Sequence, residues 1–410
     1  MKTTLKIISI AVMLAAPAAL AATNVLTQES LTGDWAGARS TIQEFGLTFQ
    51  GEYTNTYQSA RSGVDGNPSN TSHRFDLLIG ADTEKLGLWH GGSFHSQLIY
   101  RDGQANDLGI NSLSLPNTGF YGYEDGESAY ISSLYYVHRF TPSTNAVVGQ
   151  VDAFELLRHA PFYGGATRHG FMNVAFAAPP SGVTPPAFLG AMVNHAEGPW
   201  RFTGMIYDPK DRYTEKVRLD DAFDDGVNIA LSATYMTQWA GRMTTLGGAY
   251  TYSTEEGMDW DVPPETAKYK YNARLQFTHN VAENEGNPQE AWGIYLRGSL
   301  ADGNPNILDA TFAGGFGGQA LFFDRPQDNW GIGYYHLTLS NDLKNTVNSI
   351  LDIADLPIDA RMRNEQGVEA YYAYQATPWL TFTADLQYVE SMVSTEDKAL
   401  LFGLRTNIRF

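Results

Sequence analysis

Lys268-Tyr269-Lys270-Tyr271-Asn272-Ala273-Arg274-Leu275-Gln276-Phe277-Thr278 alternates without a break: Lys268, Lys270, Asn272, Arg274, Gln276 and Thr278 share one face, and Tyr269, Tyr271, Ala273, Leu275 and Phe277 the other. A β-strand sends successive side chains to opposite faces, so one face of this stretch is wet and the other greasy. The stretch is longer than an ordinary globular strand of about five or six residues. It matches the roughly 9–11 residues that a tilted strand needs to cross a bilayer.

The same period recurs along the chain. Ile229, Leu231, Ala233, Tyr235 and Trp239 stand against Asn228, Ser232, Thr234 and Gln238, and Leu47, Phe49, Gly51 and Tyr53 stand against Thr48, Gln50, Glu52 and Thr54. Near the end, Leu400, Phe402, Leu404, Ile408 and Phe410 oppose Gly403, Arg405, Asn407 and Arg409. Extended over the whole sequence, the pattern predicts strands at 47–57, 73–84, 90–101, 128–140, 144–151, 187–195, 199–207, 227–239, 241–252, 268–279, 290–301, 312–323, 330–339, 366–376, 379–390 and 399–410. Long and short connections alternate between them, which is the rhythm of outer-membrane barrels. A soluble sandwich alternates as well, but with shorter strands and no such rhythm. Beyond the N-terminus every apolar run is interrupted too early to form a membrane helix, which leaves a closed barrel as the spanning structure. The expected fold is all-β: a transmembrane antiparallel β-barrel of about sixteen strands. Trp200, Tyr250, Tyr252, Tyr269, Tyr271, Trp292, Trp330, Tyr372, Tyr374 and Trp379 fall near strand ends, where aromatic girdles meet lipid headgroups.

Composition narrows the function. The 410 residues include no Cys, which excludes disulfide scaffolds and cysteine chemistry, and the net charge of −18 argues against nucleic acid as a partner. Lys2 and Lys6 precede an apolar run over 7–20 and the small-x-small triplet Ala19-Leu20-Ala21, so 1–21 reads as a signal peptide. Its removal takes the charge to −20, which counts modestly against a strongly anion-selective channel. Residues 22–46 are expected to form an N-terminal periplasmic segment. It holds a short helix with Trp35, Ala38, Ile42 and Phe45 at helical spacing, capped by Asp34 or Thr32 and ended by Gly46. Residues 47–410 would form the barrel.

Other motifs have plainer readings. Gly314-Gly315-Phe316-Gly317-Gly318 has no following helix and is expected to mark close strand packing or a bulge. Asp220 to Gly226 reads as a solvated acidic loop able to collect divalent cations at a lipopolysaccharide surface, and Asn341 to Leu356 as an amphipathic helix in an outer loop. The histidines lack ligand spacing, so neither metal nor other cofactor is expected.

Leu31-Thr32-Gly33-Asp34-Trp35-Ala36-Gly37-Ala38-Arg39 resembles the opening of carbohydrate-selective porins of the OprB family, whose pattern is Gly-Asp-Trp-Gly-Gly-x-Arg. The final fifth is similar to that family too: Glu369, Tyr371 and Tyr372, then Thr377-Pro378-Trp379-Leu380, Asp385, Gln387, Tyr388, Gly403, Arg405 and terminal Phe410. Leu321-Phe322-Phe323 and Gly331-Ile332-Gly333-Tyr334 resemble it more loosely. The chain departs at Ala36, where the family has Gly, and at Glu390-Ser391, where the family has Asn-Pro. The resemblance implies a sixteen-stranded outer-membrane porin that passes sugars or polyols by facilitated diffusion. It also implies a terminal aromatic read by the outer-membrane assembly machinery.

The longest expected connection, 152–186, carries Asp152, Glu155, Arg158, His159, Phe162, Tyr163, Arg168, His169, Phe171 and Phe176, and is predicted to fold into the barrel and narrow it. With Arg158 and Arg168, the pore-lining candidates are Glu52, Arg74, Asp76, Arg101, Arg274, Arg297, Glu369, Asp385 and Gln387, all inward by the alternation. Arginines, carboxylates and rings suit a sugar's hydroxyls and C–H faces, while each charge taken singly equally suits a lumenal ion-pair ladder. Three alternatives stand beside the sugar porin: a porin for small hydroxylated acids such as quinate or gluconate, an outer-membrane hydrolase barrel, and a secreted carbohydrate-binding β protein.

Overall fold

The strands are β1 (Leu47–Ser62), β2 (Ser69–Asp82), β3 (Gly92–Gly103), β4 (Ala129–Thr141), β5 (Thr144–Asp152), β6 (Ala187–Glu197), β7 (Trp200–Tyr207) and β8 (Asn228–Trp239). They continue with β9 (Arg242–Met258), β10 (Thr266–Asn284), β11 (Asn287–Ala301), β12 (Leu308–Ala320), β13 (Arg325–Leu339), β14 (Glu365–Thr377), β15 (Leu380–Glu390) and β16 (Ala399–Arg409). Each pairs antiparallel with its sequence neighbours, and β1 pairs with β16, so all sixteen close into one barrel without a free edge. The computed structural model describes residues 25–410 apart from 67, 123–128, 158–161, 163–167, 179, 213–216, 354–360 and 396–397. The signal-peptide region 1–21 and Arg158, His159 and Tyr163 lie outside the described residues.

Five connections at one rim, 142–143, 198–199, 240–241, 285–286 and 378–379, are tight turns. At the opposite rim, 104–128, 153–186, 208–227 and 340–364 are long, and the last carries a helix over Asn341–Ile353. The alternation places strand ends too early where strands rise above the apolar band. In β1, Gln58 and Ser59 still pair with Asn70 and Ser69, and β9, expected to end at 252, continues so that Glu256 pairs with Lys268. The ladder needs only backbone groups, so polar side chains such as Lys268, 3.0 Å from Glu256, do not end it. In the other direction, Leu321–Phe323, expected inside a strand, is a single 3₁₀ turn linking β12 to β13.

Outward positions form an apolar belt, with Leu231, Leu246, Leu275, Leu296, Leu300 and Leu404 all exposed. Such a surface is at home only in lipid. Among the described residues the α-helices are α1 (Ala38–Glu44), α2 (Ala153–Leu156), α3 (Val174–Ala177) and α4 (Asn341–Ile353).

The N-terminal segment is strapped to the short-turn rim. Leu31 N–H donates to the Arg409 carbonyl at 2.8 Å, and Trp379 Nε1 donates to the Val25 carbonyl at 2.7 Å. Asp34 does not cap α1 in the expected way, since its carboxylate accepts from the Ser40 N–H and hydroxyl, both at 2.9 Å, across the 3₁₀ turn Trp35–Gly37. Within that turn Ala36 holds φ 57°, the left-handed region that a Cβ disfavours. This is where the family pattern has glycine. Ala36→Gly should stabilise the turn by roughly 0.5–1 kcal/mol, read as slower amide hydrogen exchange across α1; unchanged exchange would show the turn to be unstrained.

Candidate pore and its infolded loops

The described residues of two of the long loops, 104–128 and 153–186, fold inward and are stitched to the barrel wall by side chains from distant strands. Glu369 on β14 accepts from the Met172 and Asn173 N–H groups at 2.5 and 2.9 Å. Four residues earlier, Glu365 accepts from the Leu113 and Ser114 N–H groups at 2.6 and 2.9 Å. Gln387 Nε2 donates to the Pro116 carbonyl at 2.9 Å and also to Asp385 Oδ1 at 2.9 Å. Arg405 donates to the Gly170 carbonyl at 2.8 Å, and Arg297 to the Phe176 carbonyl. From the other side, Arg74 reaches the Gly119 carbonyl at 2.7 Å and Arg101 the Tyr121 carbonyl at 2.8 Å. The loops also hold each other, Thr118 N–H to the Met172 carbonyl and Val174 N–H to the Leu115 carbonyl.

Local sequence shapes the inner tip. Asp152 caps α2 by accepting from the Phe154 and Glu155 N–H groups, and Asn173 caps α3 by accepting from Ala175 N–H. Between them Phe171 and Phe176 stack at 4.5 Å and are fully buried against Tyr295, Tyr335 and Tyr371. Two glycines of β13 make room: a Cβ on Gly331 would lie 2.7 Å from the Phe171 ring, and one on Gly333 2.5 Å from the Phe176 ring. The Gly331-Ile332-Gly333-Tyr334 motif is therefore a socket for the loop.

Arg168 is the electrostatic centre. Its guanidinium contacts Glu52 at 3.2 Å, Asp76 at 3.1 Å and Glu155 at 2.9 Å, and its side chain is 1 % exposed. Burial works against that charge, yet Asp76, Glu52 and Glu155 outweigh it and hold the Arg168 pKa above the ordinary arginine range. Asp76 also receives Arg74 Nε at 2.9 Å and Gln97 Nε2 at 2.9 Å, while His169 Nε2 lies 2.8 Å from Glu52.

The structure thus gathers Glu52, Arg74, Asp76 and Arg168 into one cluster, and uses Arg101, Arg297, Glu369 and Gln387 as loop anchors, with Asp385 beside Gln387. Arg274 stands apart. It sits on β10, eight strands from β2, and is exposed within the lumen. Its neighbours on the inner wall, Thr203, Ser232, Thr234 and Gln276, are only half-buried. The inner wall of β7 to β10 is thus less covered by the described parts of the infolded loops than the wall that carries the Arg168 cluster. Glu365, Glu155 and Arg405 complete the constellation. Arg405 and Glu365 are inward by the same alternation as the other wall residues, while Glu155, on a loop, has no such signal.

A closed sixteen-stranded barrel with a lipid-facing belt and loops folded into a polar lumen defines an outer-membrane porin. The pattern of the family described as "Carbohydrate-selective porin, OprB family" matches residues 67–208 and 222–410, and the chain belongs to that family. Porin B of Pseudomonas aeruginosa is 26% identical over 138 residues, which cover 32% of this chain and 30% of that protein. The match thus spans less than a third of that relative's length. The high-pH structure of Pseudomonas putida OprB superimposes with a TM-score of 0.80 at 19% identity, covering 94% of this chain and 99% of the other. The low-pH structure of the same protein gives 0.59 at 16% identity with the same coverage. Both likenesses concern the fold.

Proposed function

We propose that this porin carries neutral sugars and polyols by facilitated diffusion, along a lane between the Arg168 cluster and the inner wall of β7 to β10. The observation that carries the reading is the asymmetry of the lumen. The charged cluster is paired internally and fully buried, whereas the opposite wall offers hydroxyls, an amide and the exposed cation Arg274. A channel solute needs several weak contacts that it can leave again, and hydroxyl and amide groups beside a guanidinium suit an uncharged polyol. Family membership supports the same substrate class. The assembly machinery and lipopolysaccharide belong to the proposal as partners. Phe410, whose N–H donates to the Gly51 carbonyl at 2.9 Å at the short-turn rim, is the expected recognition residue for the former.

Liposome swelling with glucose, glycerol, gluconate and quinate tests the reading. Glucose and glycerol should enter faster than the two acids; entry of the acids with exclusion of glucose would transfer the channel to the hydroxy-acid class. Arg274→Ala should weaken glucose-induced current block about two- to tenfold, the loss of about one hydrogen bond, without altering barrel mobility on gels. An unchanged block would remove Arg274 from the lane.

A further inference from the structure

We propose that the barrel holds a second solute site, for a single neutral monosaccharide unit, in a cavity between the N-terminal segment and the inner wall of β1 to β4; the proposal rests on the carbohydrate reading above. The cavity has a volume of about 310 Å³ and is lined by Trp35 and Arg39 of the N-terminal segment, by His95, Gln97 and Tyr135 of the wall, and by Glu155 of the infolded loop. That volume lies at the small end of the range of ligand pockets, about 300–1,000 Å³, and suits one sugar ring. Glu155 also contacts Arg168, so the cavity adjoins the constricting cluster on its short-turn side.

Its chemistry is that of a polyol site. Gln97 is 2% exposed, and its Nε2 is committed to Asp76 at 2.9 Å, which fixes the amide; its Oε1 has no partner among the described residues. A buried acceptor left unpaired is costly, and a ligand hydroxyl would satisfy it. Arg39 Nε is a second buried polar atom without a partner, while the rest of that guanidinium lies 4.5 Å from the centre of the Trp35 ring and donates to Ser30. Glu155 is paired with Arg168 and so sets no uncompensated negative charge against a neutral solute, while the Arg39 guanidinium is engaged by the Ser30 hydroxyl and the Trp35 ring. Trp35 and Tyr135 supply rings of the kind that pack against the C–H faces of a sugar, and the Tyr135 ring is held in place by stacking on His95 at 5.1 Å. A solute that clears the constriction would enter this cavity before it reaches the periplasm, the side on which porin short turns lie.

Single-channel recording on the full barrel in a planar bilayer, with D-glucose added to one side at a time, tests the proposal. The wild type should show two blocking processes, one reached preferentially from the short-turn side. Trp35→Ala and His95→Ala should weaken that process about three- to tenfold, Trp35→Phe should retain it, and the block from the long-loop side and the open conductance should not change. An unaltered short-turn-side block in Trp35→Ala, or a raised open conductance with unaltered block, would overturn the proposal and make the segment a plug alone. Gluconate blocking this side more tightly than glucose would overturn the neutral-ligand assignment. Absence of glucose block from both sides of the wild type would instead defeat the carbohydrate reading itself.

Discussion

Arg168→Met should produce a wider and less selective channel, with a clear rise in single-channel conductance and faster entry of solutes larger than a hexose. The substitution keeps an unbranched apolar stem, shorter by the guanidinium, and removes the charge that Glu52, Asp76 and Glu155 share. Asp76 keeps Arg74, but Glu155 loses its cationic partner at the cluster. Removing one partner of a buried ion pair costs about 3–5 kcal/mol. That energy falls on the loop rather than on the sixteen-stranded wall, whose ladder does not involve Arg168. The barrel should therefore still form and resist detergent while the loop leaves its seat. Neutralising the carboxylates in the same protein, with Glu52→Gln and Glu155→Gln, should restore part of the narrow conductance. Wild-type conductance in Arg168→Met would show that the hydrophobic seat alone holds the loop.

Glu369→Gln should release the same loop by a different route. The carboxylate accepts two backbone N–H groups, and an amide keeps one acceptor while presenting an N–H₂ to the other donor. Leaving a buried donor without its acceptor costs about 1–3 kcal/mol. Asn173 is also the cap of α3, so the tip that carries Phe171 and Phe176 loses its fixed entry angle. Limited proteolysis should cut within 153–186 at least tenfold faster than in the wild type, with the wall intact. Glu365→Gln provides the comparison: it should expose 104–128 instead, since Glu365 binds the Leu113 and Ser114 N–H groups. Equal cleavage of both loops in both variants would mean that they open as one unit.

The wall was legible because alternation is local. Leu275 and Arg274 announce their faces through their immediate neighbours, and every predicted strand has a counterpart in the barrel. Strand ends were less legible, because above the apolar belt residues such as Gln58 and Glu256 remain in the ladder while looking like loop. Parity also told which charges face inward. It carried no information on what they meet there: Glu369 binds a backbone amide 197 positions away in the chain, and nothing in its own neighbourhood indicates that partner. The separation of Arg274 from the Arg168 cluster was equally hidden, since both are inward arginines and only the path of the loops distinguishes them. Gly331 and Gly333 were the one local trace of the infolding, inward positions left without side chains where rings arrive from elsewhere.

The anchors of the two infolded loops have a direction in time as well as in space. The loops belong to the first half of the chain, whereas Arg297, Glu365, Glu369, Gln387 and Arg405 stand on β11, β14, β15 and β16, strands that the ribosome finishes last and that complete the barrel by pairing β16 with β1. Until those strands are placed, neither loop has its carboxylate and neither phenylalanine has its socket. Discrimination among solutes is thus a property of the closed barrel alone: a chain that lacks β14 to β16 can neither close its wall nor seat its loops.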